Sequence, residues 1–66
     1  MNPNQPTVDR AVMQQIRLTR GIRSVITLFD CDDRVIRRHH GPRANNVAAL
    51  LRRHGTPVFE TSSQRV

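Results

Sequence analysis

The sequence predicts a small α+β domain whose elements follow one another in the order α-β-β-α-β. Three observations support this order: apolar residues at helical spacing over residues 8–20, a β-branched run over residues 22–30, and a second helical stripe over residues 43–54. A right-handed crossover through the second helix would place strand three parallel to strand two. We therefore expect a three-stranded sheet of order 2-1-3, with strand one central and both helices on one face.

The first helix is predicted over residues 8–20. Thr7 is suited to the N-cap, and Asp9 to the first turn, where the helix dipole favours a negative charge. Gly21 stands where a left-handed C-terminal cap belongs. At 100° per residue, one broad side of this helix carries Val8, Ala11, Val12, Ile16 and Leu18.

Two strands joined by a polar turn are predicted next. Residues 22–30 are nearly continuously apolar from Val25 to Phe29, which indicates a central strand. Short polar residues, which tolerate left-handed backbone, follow at positions 30–33 and predict a turn. Residues 34–39 then form the returning strand.

The second helix is predicted over residues 43–54, after the strand-breaking pair Gly41-Pro42 and before a capping Gly55. A short third strand follows at Val58 and Phe59. The domain is expected to span residues 7–60. Residues 1–6 form a disordered N-terminal tail in this prediction, and residues 61–66 a loose C-terminal tail.

The composition is strongly basic and points to an acidic partner. Eleven arginines and no lysine stand against five carboxylates, which gives a formal net charge of +6. The planar guanidinium matches phosphate and carboxylate oxygens two bonds at a time. The residues expected to bind nucleic acid or an acidic partner are Arg10, Gln14, Arg17, Arg20, Arg34, Arg37, Arg38, His39, Arg43, Arg52 and Arg53.

Two functions follow from this charge. The first is a small non-catalytic, regulatory module that binds nucleic acid through arginine–phosphate contacts. The alternative is a small protein-interaction factor (an inhibitor, adaptor or accessory subunit of the phage or mobile-element type) that binds an acidic protein surface. Arginines scattered over a solvated surface would explain the charge without either function. We expect no enzyme activity, no metal and no cofactor.

The chain is short enough to favour self-association. A 66-residue domain buries a modest core, and Cys31, the only cysteine, cannot form an internal disulfide. We therefore expect a homodimer or a subunit that depends on a partner. The lone cysteine fits a reducing compartment, residues 1–6 lack a signal-peptide pattern, and no apolar run could span a membrane, so a cytoplasmic location is predicted.

The strand that ends in Asp30-Cys31-Asp32 resembles the first motif of haloacid dehalogenase-like phosphotransferases. The resemblance covers about eight residues and implies a nucleophile at Asp30, an acid/base at Asp32 and magnesium between them. Asp33 and Arg34 replace the small residues that usually follow, and the lysine that the family needs is absent. We expect these carboxylates to belong to a turn.

A second stretch, residues 34–55, is similar to the C-terminal half of HicA-type mRNA interferase toxins, a family of small basic proteins. A strand, a His/Gly/Pro turn and a helix that ends in basic residues and glycine follow one another in both. The preceding strand, which carries the catalytic histidine of that family, has none in this chain. No catalytic residue is therefore transferred.

Overall fold

The computed structural model describes residues 7–63, which form one four-stranded mixed sheet and one helix. The N-terminal tail predicted at residues 1–6 lies outside the described residues, as do residues 64–66 of the C-terminal tail predicted at 61–66, whereas residues 61–63 belong to a strand. The elements in chain order are β1 (Arg10–Leu18), β2 (Gly21–Phe29), β3 (Val35–His40), α1 (Pro42–Arg53) and β4 (Val58–Ser63).

The helix predicted over residues 8–20 is wrong, because this segment forms β1. All nine residues of β1 pair with β2 in an antiparallel register that runs from Arg10–Phe29 to Leu18–Gly21. The same residues satisfy a period of two, with Ala11 and Met13 buried on one face. Pairing along a whole neighbouring strand therefore outweighs the helical spacing of the apolar residues.

Gly21 does not cap a helix but begins β2 after a two-residue hairpin turn. Its φ of 138° lies in a region that side-chain-bearing residues rarely adopt, and it differs from the left-handed helical value of a C-terminal cap. The glycine is therefore required by a hairpin turn.

The predicted sheet order is wrong for the same reason. The order is β3-β2-β1-β4, so the segment expected to be a covering helix lies inside the sheet, between β2 and β4. β1 pairs antiparallel with β2 and parallel with β4, and β2 pairs antiparallel with β3. The described residues therefore contain four strands and a single helix, in place of three strands and two helices on one face.

Helix α1 has clear signals at both ends. Gly41 is its N-cap residue with φ 69°, and Pro42 occupies the first turn, where its missing N–H costs nothing. At the other end the N–H of Gly55 donates to the Arg52 carbonyl (3.1 Å), and the N–H of Thr56 donates to the Leu51 carbonyl (2.9 Å). This pair of bonds is a Schellman motif, in which glycine takes the left-handed position. No helix among residues 7–63 is long and apolar enough to cross a membrane.

The core lies between α1 and one face of the sheet. It combines three alanines with three larger side chains, and Ile26 is the only large side chain that is fully buried in the described residues. The two helix alanines allow α1 to approach the sheet closely. The buried members of this core are Ala11, Met13, Ile26, Leu28, Ala44 and Ala48.

Candidate nucleic-acid interface

The two ends of the sheet differ in how their charged side chains are balanced. Asp30, Asp32 and Asp33 lie in the turn between β2 and β3. Asp9 lies at the same end, because its backbone N–H donates to the Phe29 carbonyl (2.8 Å). We call this region the turn end; it holds four of the five carboxylates of the chain.

Three of the four carboxylates of the turn end are used within the molecule. One Asp30 oxygen accepts hydrogen bonds from the backbone N–H groups of Asp32 (2.8 Å) and Arg34 (2.9 Å). Asp33 adopts a left-handed conformation with φ 65°, and its carboxylate pairs with the Arg10 guanidinium. These contacts make the turn an Asx-type structure of the kind that aspartates favour.

Arg10, one of the predicted binding residues, is engaged by three neighbours at the turn end. Its guanidinium pairs with Asp33 and lies 3.7 Å from the Asp9 carboxylate. It also stacks over the Phe29 ring, with its central carbon 4.8 Å from the ring centroid. Arg10 therefore joins β1 to the β2–β3 turn.

Three further predicted arginines lie near this end. Helix α1 finishes there, since the carbonyl of Pro57, just after the helix, accepts a hydrogen bond from Ala11 at the start of β1 (3.0 Å). Arg52 in the last turn donates to the Glu60 carboxylate (3.0 Å). Arg53 follows it, and Arg34 ends the acidic turn.

The opposite end of the sheet is a hairpin that extends past its neighbours. Strand β3 pairs with β2 only as far as His40–Val25, and β4 pairs with β1 in the described residues as far as Ser63–Ile16. The last pairs of the β1–β2 ladder lie beyond these points. We call residues 17–23 the hairpin arm; each of its seven residues is exposed.

The hairpin arm carries three arginines and no carboxylate. Arg17, Arg20 and Arg23 are spaced three residues apart, and within residues 7–63 none of them forms an ion pair. The whole β1–β2 hairpin, residues 10–29, contains no acidic residue. Among residues 7–63, therefore, no carboxylate neutralises the positive charge of the arm.

Arg23 is absent from the residues predicted to bind. It lies in the strand that was expected to be central and covered, whereas the structure places it in the exposed arm opposite Ile16. The equal spacing of Arg17, Arg20 and Arg23 around Gly21 is the sequence signal that could have identified it. That signal has meaning only once residues 10–18 are recognised as a strand.

The predicted grouping of Arg10, Gln14, Arg17 and Arg20 on one helix side is not formed. Strand alternation places Arg10 and Gln14 on the sheet face opposite α1, and Arg17 on the face that α1 covers. Gln14 is exposed at the middle of its strand, opposite Val25. The predicted set is therefore divided between two faces and two ends.

A second basic region lies along β3, an edge strand of the sheet, and continues into α1. Arg37 and His39 pair with residues whose side chains face α1, whereas Arg38 pairs with Thr27 on the opposite face. The Nε–H of Arg38 donates to the Thr27 hydroxyl (3.3 Å). Because the N–H of Gly41 donates to the Ser24 carbonyl (2.8 Å), this region ends beside the base of the hairpin arm.

His39 lies among these cations. Desolvation by burial lowers its pKa below the usual value, and the positive charges of Arg37 and Arg43 and the neighbouring His40 lower it further. Both effects favour the neutral form of the His39 imidazole.

The carboxylate geometry does not support phosphotransferase chemistry at the turn. One Asp30 oxygen accepts two backbone hydrogen bonds that close the turn, and β2 is an antiparallel strand that enters a hairpin. Among residues 7–63 no group of three or more His, Cys, Asp or Glu side chains is arranged to hold a metal ion. Asp30 and Asp33 have a structural role in the turn.

Comparison with protein-family models, with curated proteins and with solved structures gives no match for this chain.

Proposed function

We propose that this chain is a nucleic-acid-binding module that contacts phosphates through the hairpin arm and the adjoining β3 edge. The observation that carries the proposal is the difference in charge balance between the two ends of the sheet. At the turn end Asp30 and Asp33 bind backbone amides and Arg10, whereas Arg17, Arg20 and Arg23 are exposed and form no ion pair within residues 7–63. A polyanion would supply the negative charge that the arm lacks.

The shape of the arm supports this proposal. A two-stranded antiparallel ribbon is narrow enough to enter the major groove of DNA, and several DNA-binding folds use such ribbons. Arg17 and Arg23 lie on opposite faces of the ribbon, and Arg20 lies at its tip. Arginines placed in this way can reach phosphates on both sides of a groove.

The β3 edge would extend the contact beyond the arm. Arg37, Arg38 and Arg43 are exposed, and the end of this strand is hydrogen-bonded to β2 just after Arg23. Phosphate contacts of this kind position a protein without reading base sequence. We therefore expect binding that is strongly salt-dependent and only weakly sequence-dependent.

The test compares two triple substitutions of equal charge. The arm variant carries Arg17→Gln, Arg20→Gln and Arg23→Gln, and the turn-end control carries Arg34→Gln, Arg52→Gln and Arg53→Gln. Affinity for a mixed-sequence DNA duplex and an RNA duplex is measured by fluorescence anisotropy at several salt concentrations. Each phosphate contact contributes about 1 to the slope of log affinity against log salt, so the arm variant should lose a slope of about 3.

The control distinguishes binding at the arm from binding that depends only on the net charge of the protein. The control variant has the same formal charge as the arm variant but retains the arm, so it should keep most of the wild-type slope. Equal losses in both variants would mean that charge alone drives binding, and the proposed site would be wrong. Absence of binding to either duplex at low salt would overturn the proposal.

A second candidate function rests on two apolar residues of the arm. Leu18 is 44% exposed and Ile22 is 64% exposed, and both lie among the three arginines. Apolar anchors beside arginines are typical of protein–protein hot spots. An acidic protein surface is thus the alternative partner, and it predicts that Leu18→Ser and Ile22→Ser weaken binding as much as the arginine substitutions do.

A further inference from the structure

The sheet face opposite α1, which we call the open face, presents apolar, polar and cationic side chains together. The face is identified by strand alternation from Ala11 and Met13, which point toward the helix, and by the strand registers. No helix among residues 7–63 covers it. Its exposed side chains include Phe59, Gln14, Thr61, His40, Arg23 and Arg38. Such a mixture fits a partner that is flat and apolar in one part and anionic in another.

Phe59 offers an aromatic ring that is open to a ligand. It is 55% exposed on the edge strand β4, beside the half-buried Val12 of β1. Phe29, on the same face, is instead covered by the Arg10 guanidinium, which lies 4.8 Å from its ring centroid. An uncharged phenyl ring does not attract a phosphate, but its face is a surface on which a nucleic-acid base stacks.

Three exposed side chains follow a diagonal across the open face toward the hairpin arm. The backbone partner of Phe59 is Val12, two residues before Gln14, and the partner of Gln14 is Val25, two residues after Arg23. Each step crosses one strand spacing of about 4.8 Å and two residues of about 3.3 Å, a distance of about 8 Å. The diagonal from Phe59 through Gln14 to Arg23 is therefore about 16 Å long, enough for a short stretch of extended nucleotides.

The cations of the open face complement a polyanion. Arg23 and Arg38 are exposed, and within residues 7–63 neither forms an ion pair. The Nε–H of Arg38 donates to the Thr27 hydroxyl (3.3 Å), which directs this side chain across the face. The strand residues of the face include no aspartate or glutamate, and Asp33, which reaches its margin, is paired with Arg10. Phosphates that flank a stacked base would meet unneutralised guanidinium groups here.

The width of the open face favours a single strand over a duplex. Four strands about 4.8 Å apart place the outer backbones about 14 Å from each other before side chains are added. The major groove is about 12 Å wide, so the sheet face, unlike the two-stranded arm, cannot enter it. Bases inside a duplex are stacked on one another, whereas unpaired bases can turn outward onto an aromatic side chain.

We infer that the open face binds a single-stranded nucleic acid, with a base stacked on Phe59, Gln14 at the base edges, and Arg23 and Arg38 on the flanking phosphates. The inference rests on the proposed function, because Arg23 belongs to the hairpin arm. It adds a class of substrate, since the arm contacts phosphates of any nucleic acid and the open face requires unpaired bases. Stacking is tolerant of sequence, so the added contact does not select a base.

The first experiment separates bases from phosphates. Fluorescence anisotropy compares a mixed-sequence DNA strand of about 12 nucleotides, an RNA strand of the same sequence and an abasic strand of the same length. Both base-bearing strands should bind about tenfold more tightly than the abasic strand, the factor typical of one base–aromatic stack. A DNA duplex of the same sequence, measured in parallel, reports binding by the arm alone.

The second experiment removes the stacking surface. Phe59→Ala should weaken binding of both base-bearing strands about tenfold and leave binding of the abasic strand and the duplex unchanged. Phe59→Tyr, which keeps the ring, should bind like the wild type. Leu50→Ala is the matched control, because Leu50 is an equally exposed apolar residue (53%) on α1. Phe59→Leu keeps an apolar side chain without a ring and replaces Phe59→Ala if circular dichroism shows that variant to be unfolded.

The salt dependence separates the two kinds of contact. Arg23→Gln and Arg38→Gln should each lower the slope of log affinity against log salt by about 0.7 for a single strand, because each removes one phosphate contact. Phe59→Ala should leave this slope unchanged, since a stacked base releases no counterions. A slope that falls with Phe59→Ala would contradict the stacking role.

The remaining outcomes also decide the inference. Equal affinities for abasic and base-bearing strands, or a loss of binding in Phe59→Tyr equal to that in Phe59→Ala, would overturn it. A wild-type dimer that Phe59→Ala dissociates would show that the open face is a contact between two copies, which also overturns it. Duplex binding that depends on the arm, together with single-strand binding indifferent to Phe59, would overturn this inference and leave the proposed function standing. Absence of binding to every probe at low salt would overturn both.

Discussion

The two turns that flank β2 contain similar numbers of charged residues but use them differently. In the turn after β2, Asp30 binds two backbone N–H groups and Asp33 binds Arg10. In the turn before β2, Arg20 and its neighbours Arg17 and Arg23 form no ion pair within the described part of the chain. One turn is closed by its own side chains, and the other presents its side chains to solvent.

This difference separates charged side chains that form contacts within the molecule, which we call structural, from those that form no ion pair within residues 7–63, which we call available. A count of arginines does not distinguish Arg10 from Arg17, since both lie in β1. Their partners distinguish them, because Arg10 is surrounded by two carboxylates and a phenyl ring, whereas Arg17 is exposed. An arginine that forms no internal contact can bind a partner without first breaking one.

The largest expected difference in the free energy of unfolding is between two substitutions in β2, one at the middle of the strand and one at its arm end. Ile26 is fully buried and Ile22 is 64% exposed, although both belong to one strand. Ile26→Ala should lower the free energy of unfolding by about 3 kcal/mol, because it removes the one large, fully buried side chain from the described core. Ile22→Ala should change it by less than about 0.5 kcal/mol.

Urea denaturation followed by circular dichroism measures both variants. The two substitutions remove the same atoms, so any difference comes from position. Similar losses of unfolding free energy in both variants would show that Ile22 is packed in solution. The contrast between a buried middle and an exposed arm end of β2 would then be wrong.

The second prediction concerns the closed turn. Asp30→Ala should destabilise the fold by about 1 kcal/mol, because it removes two hydrogen bonds from backbone N–H groups to a carboxylate. Asp32→Ala is the matched control, since the Asp32 side chain forms no hydrogen bond or ion pair within residues 7–63. Thermal unfolding monitored by circular dichroism compares them, and equal melting temperatures would contradict the role assigned to Asp30.

Sequence reasoning succeeded where a single local signal decides the structure. Helix α1 is confirmed within one residue at each end, because Pro42 and Gly55 mark its limits and its apolar stripe has only one good interpretation. Strand β2 is likewise confirmed within one residue, as expected for a continuous β-branched run. The polar turn after it was predicted from its aspartates.

Strand β1 could not be predicted because its apolar residues fit both periods. Val12 and Ile16 are separated by four residues, so they share a side of a helix and also a face of a strand. Only pairing with β2 decides between helix and strand, and residues 10–18 alone do not contain that information. The sheet order and the hairpin arm both depend on this one assignment, so they were missed together.

The smallest predicted effect compares Arg10 with Arg17 directly. Arg10→Gln should lower the free energy of unfolding by about 1 kcal/mol or less, since it removes two exposed ion pairs and a stacking contact with Phe29. Arg17→Gln should leave stability within about 0.3 kcal/mol of the wild type, because the Arg17 side chain forms no ion pair within residues 7–63. Unfolding in urea at low and high salt measures the difference, which should shrink as salt screens the ion pairs. An Arg17→Gln variant that is less stable than Arg10→Gln would mean that the arm arginine has an internal partner, and the distinction between structural and available arginines would no longer hold.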